Sequence, residues 1–231
     1  LRDYIAFQGG NFPSPAFVGQ IPNQDLHALE APEMIIISHP NFTEPAQELA
    51  EFHTNDRVIS TVVTTEQIYN EYGSGGQDIT AIRDFIKDLY DRSRGAARPL
   101  QYVLLFGDAS YDYKDRLANN NNYVPTWQSD FSFSLGSSSI TDDFFAYMDP
   151  GEGTNFGGAD MDLGVGRLPV ENLAQANSYV AKIKRYVAGE GGFNDWRNRL
   201  LLMTDDVDES WERSYFDPTS ERLANQALNA S

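Results

Sequence analysis

Apolar positions along the chain fall into two alternating patterns, short unbroken runs and longer stretches with helical spacing. Met34-Ile35-Ile36-Ile37-Ser38, the β-branched stretch Arg57 to Thr65, and Gln101 to Phe106 are the short runs, of the kind needed by parallel strands buried on both faces. A helix is expected from about Glu44 to Asn55, and one short and one long helix after the second run. In the long one, Asp78 stands where it can cap the first turn. Ile79, Ile82, Phe85, Ile86 and Leu89 then share one stripe as far as the turn at Gly95. Further strands are expected around Ile140 to Met148, Met161 to Val165 and Arg199 to Thr204. Further helices are expected over about Val170 to Val187, with Leu173, Ala176, Val180 and Ile183 as the stripe, and over Pro218 to Asn229. The Asn-rich stretch Ala118 to Asp130 has neither period and reads as a long surface loop. Residues 1–30, broken by Gly9, Gly10, Pro13, Pro15 and Pro22, read as edge strands and turns.

Buried strands alternating with amphipathic helices require parallel crossovers. The expected fold is therefore α/β: an open, doubly wound, mainly parallel sheet with helices on both faces and a short β lead-in. Residues 1–30 read as the lead-in from a preceding β region, 31–150 as a first α/β subdomain, and 151–231 as the beginning of a second. Ligands of such sheets bind beyond the carboxyl ends of the strands. That rule singles out Ser38-His39, Thr64-Thr65, Gly107-Asp108, Asp142-Asp143 and Thr204-Asp205-Asp206.

Charge narrows the partners. Against 17 Lys and Arg stand 34 Asp and Glu, a net charge of -17 that repels phosphate backbones, so no nucleic acid is expected as a partner. No apolar run approaches the length that spans a bilayer, and no direct membrane insertion is expected. With Leu1 at the start and Ser231 closing an unterminated helical pattern, the chain reads as an excerpt. Its 231 residues include no cysteine, which excludes disulfides and thiol nucleophiles within them.

Carboxylates follow or end several strands: Asp108, Asp142 with Asp143, Asp149, and Asp205 with Asp206. Clustered carboxylates hold hard cations or raise one another's pKa, so Asp108, Asp142, Asp143 and Asp205 are candidate metal ligands. An Mg²⁺-dependent phosphoryl-transfer pocket built on Asp108, Asp205 and Asp206 is one alternative reading. The plainer reading is that each Asp caps a helix or makes a turn. Asp206, Asp208, Ser210 and Glu212, with Asp217 further on, imitate the spacing of a calcium loop and leave room for a structural Ca²⁺, but Trp211 stands where the loop needs Gly. Of His27, His39 and His53, only His39 directly follows a strand, and structural or surface roles are favoured for all three. No Ser lies in a Gly-x-Ser-x-Gly elbow, and Gly164-x-Gly166 lacks the third glycine of a dinucleotide fingerprint.

Several segments, in order, carry a more specific signal. They are Asn23-Gln24-Asp25-Leu26-His27-Ala28-Leu29, Met34-Ile35-Ile36-Ile37-Ser38-His39-Pro40, Val63-Thr64-Thr65-Glu66-Gln67-Ile68-Tyr69 and Tyr102-Val103-Leu104-Leu105-Phe106-Gly107-Asp108. Thr141-Asp142-Asp143-Phe144-Phe145, Leu163-Gly164-Val165-Gly166-Arg167-Leu168-Pro169 and Asp195-Trp196-Arg197 continue the series. Together they resemble the gingipain family of cysteine peptidases, and within it the surface sortases of type IX secretion. The resemblance implies a caspase-like α/β peptidase domain whose catalytic His and Cys follow later strands, so that this chain holds no catalytic residue of its own. It implies that Asp206 supports the catalytic His and that Asp217 contacts a basic substrate side chain. It implies no required cofactor, a parent at the bacterial outer-membrane surface, and protein substrates bearing C-terminal sorting domains. Other type IX secretion components would be its partners, and cargo would pass through a thioester to anionic lipopolysaccharide. A catalytically silent surface binding or scaffold module of the same fold is the other alternative.

Overall fold

The computed structural model describes residues 16–17, 19–114, 116–129, 138–153, 160–202 and the backbone of 212–229. They belong to two compact units, Leu1–Lys184 and Arg185–Ser231.

The first unit is built on strands β1 (Met34–Ser38), β2 (Ser60–Thr64), β3 (Tyr102–Phe106) and β6 (Gly164–Leu168). They form one parallel sheet in the order β2-β1-β3-β6. All five residues of β1 are buried, as an apolar run at the sheet's centre requires. The strand's period of two sends its side chains to opposite cores. Ile35 and Ile37 join Val63, Val103 and Leu105 against α2 (Thr65–Tyr72) and α3 (Ile79–Ser93), where Ile82, Phe85, Ile86 and Leu89 are fully buried. Met34 and Ile36 join Phe106 against α1 (Thr43–Asn55) and α4 (Leu173–Val187), through Leu49, Ala50, Ala176 and Val180. Helices thus cover both faces, and the expected α/β architecture holds.

Local chemistry fixes the helix starts. Asp78 accepts a hydrogen bond from the Thr80 amide at 2.8 Å, the cap expected from the sequence. Thr64 and Gln67 form a reciprocal capping box at the start of α2.

Several boundaries differ from expectation. No strand forms before Met34 among the described residues; the lead-in is held instead by Leu26, which is buried. The second half of the expected surface loop is interior. Val124, Pro125, Thr126 and Trp127 are buried, and β4 (Trp127–Gln128) pairs antiparallel with β5 (Ile140–Thr141). The apolar run after β5 continues as a 3-10 turn, Asp143–Phe145, rather than as a strand to Met148, because the Thr141 hydroxyl accepts the Asp143 amide and turns the chain. Strand β6 begins three residues later than Met161. Asp162 is already engaged, donating its amide to the Ala146 carbonyl and accepting the Met148 amide on its carboxylate. Residues 199–202 form no strand, and Leu200 and Leu201 are exposed; Thr204 lies outside the described residues.

In the second unit, the Arg197 guanidinium sits 4.2 Å from the Tyr186 ring centroid and 4.5 Å from that of Phe193, and it donates to the Tyr186 carbonyl at 2.6 Å. Helix α5 (Glu212–Asn229) starts earlier than expected, so Pro218 lies inside it. Among the described residues no helix is long and apolar enough to cross a membrane.

Candidate functional site

The chain leaves β1 toward β2 on one side and later places β3 on the other, so the sheet order reverses between β1 and β3. A crevice at the carboxyl ends of two such strands is where open α/β sheets receive ligands. His39 follows β1 and Gly107-Asp108 follow β3. The His39 amide donates to the Phe106 carbonyl at 3.3 Å, tying the two strand ends together. The imidazole Nδ1 accepts the Asn41 amide at 3.2 Å, so in the neutral ring the proton is on Nε2. Burial pushes the His39 pKa below its ordinary value, with the Glu66 charge opposing, so the ring is neutral at pH 7. Tyr123 packs edge-on against both His39, at 4.9 Å between centroids, and Phe42, at 5.0 Å.

Gly107 lets the chain turn tightly here. A Cβ at this position would lie 2.9 Å from Val124 Cγ2 and 3.0 Å from Tyr123 Cβ. The Asp108 carbonyl accepts the amides of Tyr123 and Val124, which brings the Asn-rich loop over the strand ends.

The candidate metal ligands are spoken for separately. The Asp108 carboxylate accepts the Asn121 amide group. Asp142 is bound by Arg167, and Asp143 is exposed. Among the described residues, no group of three or more His, Asp or Glu side chains is arranged to hold a metal ion. Asp205 and Asp206 lie outside the described residues, and Asp217 falls in α5 with its side chain outside them.

Arg167 is the functional-looking residue that sequence reasoning missed. Inside a parallel strand, it grips Asp142 through two nitrogens and donates to the carbonyls of Gly107 and Val124 at 2.7 Å each. The available signal was a cation within an otherwise apolar strand pattern, which needs a partner.

Two adjoining hollows open over the strand ends. The smaller, about 240 Å³, is lined by His39, Gln77, Tyr113, Asn120, Asn122 and Tyr123. The larger, about 420 Å³, shares Asn120 and Tyr123 and is bordered by Glu171 and Asn172. Burial pushes the Tyr113 phenol up to about 12, so it remains protonated. A further cleft of about 450 Å³ lies beside the start of β3 and contains Asp162, whose carboxylate already serves Met148 and Tyr90.

A parallel sheet, clefts at its carboxyl edge and a loop tied across the switch point define an open α/β scaffold, and the sequence places it further. Peptidase family C25 matches residues 27–230, and the chain belongs to that family. Among solved structures it is similar to dimeric latent PorU from Porphyromonas gingivalis, with 32% identity and a TM-score of 0.67 over 83% of this chain. It spans 19% of the length of that protein. A second solved structure, described as a protease, aligns at 13% identity and TM-score 0.49, over 71% of this chain and 30% of the other. No curated protein shows significant similarity to the chain.

Proposed function

We propose that this chain is the sheet-bearing leading portion of a gingipain-like cysteine peptidase of the type IX secretion sortase kind, acting at the bacterial cell surface. The observation that carries the reading is the family C25 match over residues 27–230, together with 32% identity to latent PorU. With no cysteine in these 231 residues, the thiolate would come from outside them, and the chain by itself is inactive.

The chemistry is then covalent. The thiolate attacks the carbonyl carbon of the bond joining cargo to its C-terminal sorting domain. A C–S bond forms as the C–N bond breaks, and the catalytic His delivers a proton to the departing amine. An amine of an anionic lipopolysaccharide acceptor next attacks the thioester and gives up a proton to the now neutral His, forming a new amide and releasing the thiolate. Residues 31–170 contribute the rigid sheet and the strand-end clefts rather than the reacting groups.

A thiol-directed acyloxymethyl ketone peptide, incubated with the full-length protein and mapped by mass spectrometry, tests this. A single labelled Cys outside residues 1–231, together with cargo trimmed of its sorting domain, is the expected result. If no Cys reacts while the protein is folded, the non-catalytic scaffold reading replaces the enzymatic one.

A further inference from the structure

Opposite charges that share a cleft without meeting leave room for a ligand that carries both. The cleft of about 450 Å³ beside the start of β3 has this character. Tyr90 lines it and holds both charges in place. The Arg94 guanidinium lies over the Tyr90 ring, 5.6 Å from its centroid, and the Tyr90 hydroxyl donates to Asp162 Oδ1 at 3.1 Å. One ring thus carries a cation on its face and an anion at its hydroxyl edge. Arg94 and Asp162 both line the cleft and are both exposed, so a ligand can reach them. The Tyr90 phenol registers the two charges. Burial raises its pKa most, the hydrogen bond and charge of Asp162 raise it further, Arg94 opposes, and Asp149 adds to the rise.

Arg94 is a cation that the fold leaves unused. Around it, Lys87 pairs with Asp91, Arg92 with Asp88 and Arg98 with Glu33, while Arg83 donates to the carbonyls of Tyr147 and Glu152. Among the described residues the Arg94 side chain has no hydrogen bond and no ion pair, and its contact with the Tyr90 ring positions it. Asp162 keeps capacity as well. Its Oδ2 accepts the Met148 amide at 2.8 Å and its Oδ1 the Tyr90 hydroxyl, but a carboxylate offers about four acceptor positions.

A simple anion entering the cleft would find one guanidinium yet face the like charges of Asp162 and Asp149, and a phosphate dianion would fare worst. A simple cation would be repelled by Arg94. A molecule with a carboxylate and an ammonium on one carbon suits both ends, the carboxylate on the planar guanidinium fork and the ammonium on Asp162. Apolar surface is present too: Leu100 is buried, and Tyr102, 46% exposed, offers its ring. The volume is that of an ordinary small-molecule site.

We infer that the cleft between Arg94 and Asp162 is a binding site for a free α-amino acid with an apolar side chain. It lies at the amino end of β3, whereas the strand-end hollows lie beyond the carboxyl ends of the strands. It uses no group of the proposed peptidase chemistry and does not depend on that reading.

Isothermal titration and saturation-transfer NMR of the full-length protein with L-phenylalanine and L-leucine, up to about 20 mM, test it. At least one of the two should bind. N-acetyl-L-phenylalanine, which lacks the ammonium, and L-phenylalanine amide, which lacks the carboxylate, should each bind at least about tenfold more weakly. Arg94→Gln removes a side chain with no protein hydrogen bond, so it should weaken amino-acid binding about tenfold and leave the melting temperature within about 1 °C. No binding by either amino acid overturns the assignment. Equal binding of the N-acetyl compound makes the cleft a plain anion site, equal binding of the amide takes Arg94 out of it, and each overturns the assignment. Affinity unchanged by Arg94→Gln places the amino acid elsewhere and overturns it as well.

Discussion

Arg167 holds Asp142 in a two-pronged ion pair, Nε to Oδ2 at 2.8 Å and Nη2 to Oδ1 at 2.7 Å. The arginine is 13% exposed and the aspartate 24%, so the pair is largely withdrawn from water. Because the same guanidinium also donates to the carbonyls of Gly107 and Val124, it ties the turn after β3 to the buried end of the Asn-rich loop and to the start of the turn after β5. A lysine has neither the planar fork nor enough donors for these partners. Arg167→Lys should cost about 3 kcal/mol, read as a melting temperature lower by roughly 6 to 12 °C in calorimetry. A change within about 1 °C would mean that the pair is a surface ornament.

Gly107 tests the same junction by sterics. With φ at 154° and Val124 Cγ2 only 2.9 Å from where a Cβ would lie, even one added carbon displaces Val124 or Tyr123. Gly107→Ala should lower stability by about 2 kcal/mol in urea unfolding. It should also distort the wall of the strand-end hollows, visible as altered near-ultraviolet circular dichroism from Tyr123. A variant as stable as the parent would show that the junction relaxes without cost.

The two-faced core was legible because its signals are local. The period of two in β1 and the stripe of α3 each name their buried residues, and Asp78 announces its helix. The segment after Thr141 was not, because Phe144, Phe145, Ala146, Tyr147 and Met148 are buried consecutively, and an unbroken apolar run reads alike in a buried strand and in a folded turn. At the site, Asp108 was visible as a strand-end carboxylate, but its partner Asn121 was not. Arg167 escaped because most of its partners are backbone carbonyls distant in sequence, which no residue pattern encodes. The meeting of Arg94 and Asp162 at the Tyr90 ring likewise exists only once the chain has folded.

Glu71 pins the lead-in. Its two carboxylate oxygens accept the Gln24 side chain and the Leu26 amide, both at 2.7 Å, and so hold Leu26 in the core against α2 and α3. Glu71→Ala removes both anchors and should cost about 2 kcal/mol. Limited proteolysis should then cut within residues 19–29 well before the rest of the first unit is attacked. Glu71→Gln, which retains one accepting oxygen, should give an intermediate rate. Equal protection in all three proteins would show that Leu26 alone holds the segment.

Acid should destabilise the protein before its carboxylates titrate. Burial lowers the pKa of both His39 and His53, against the opposing charges of Glu66 and Asp56 respectively. Each ring therefore binds its proton more readily in the unfolded chain than in the fold. The stability associated with the neutral rings is complete above the ordinary value of 6.5, and it declines as pH falls below that toward the depressed folded pKa. At His39 there is a specific cause as well: a proton on Nδ1 removes the acceptor of the Asn41 amide. Urea unfolding from about pH 8 to about pH 5 should show a plateau and then a fall, while ordinary carboxylates remain ionised over most of the range. Replacing both histidines by glutamine should flatten the fall. A parent whose stability is constant or rises across that interval would mean that neither ring is held neutral by the fold.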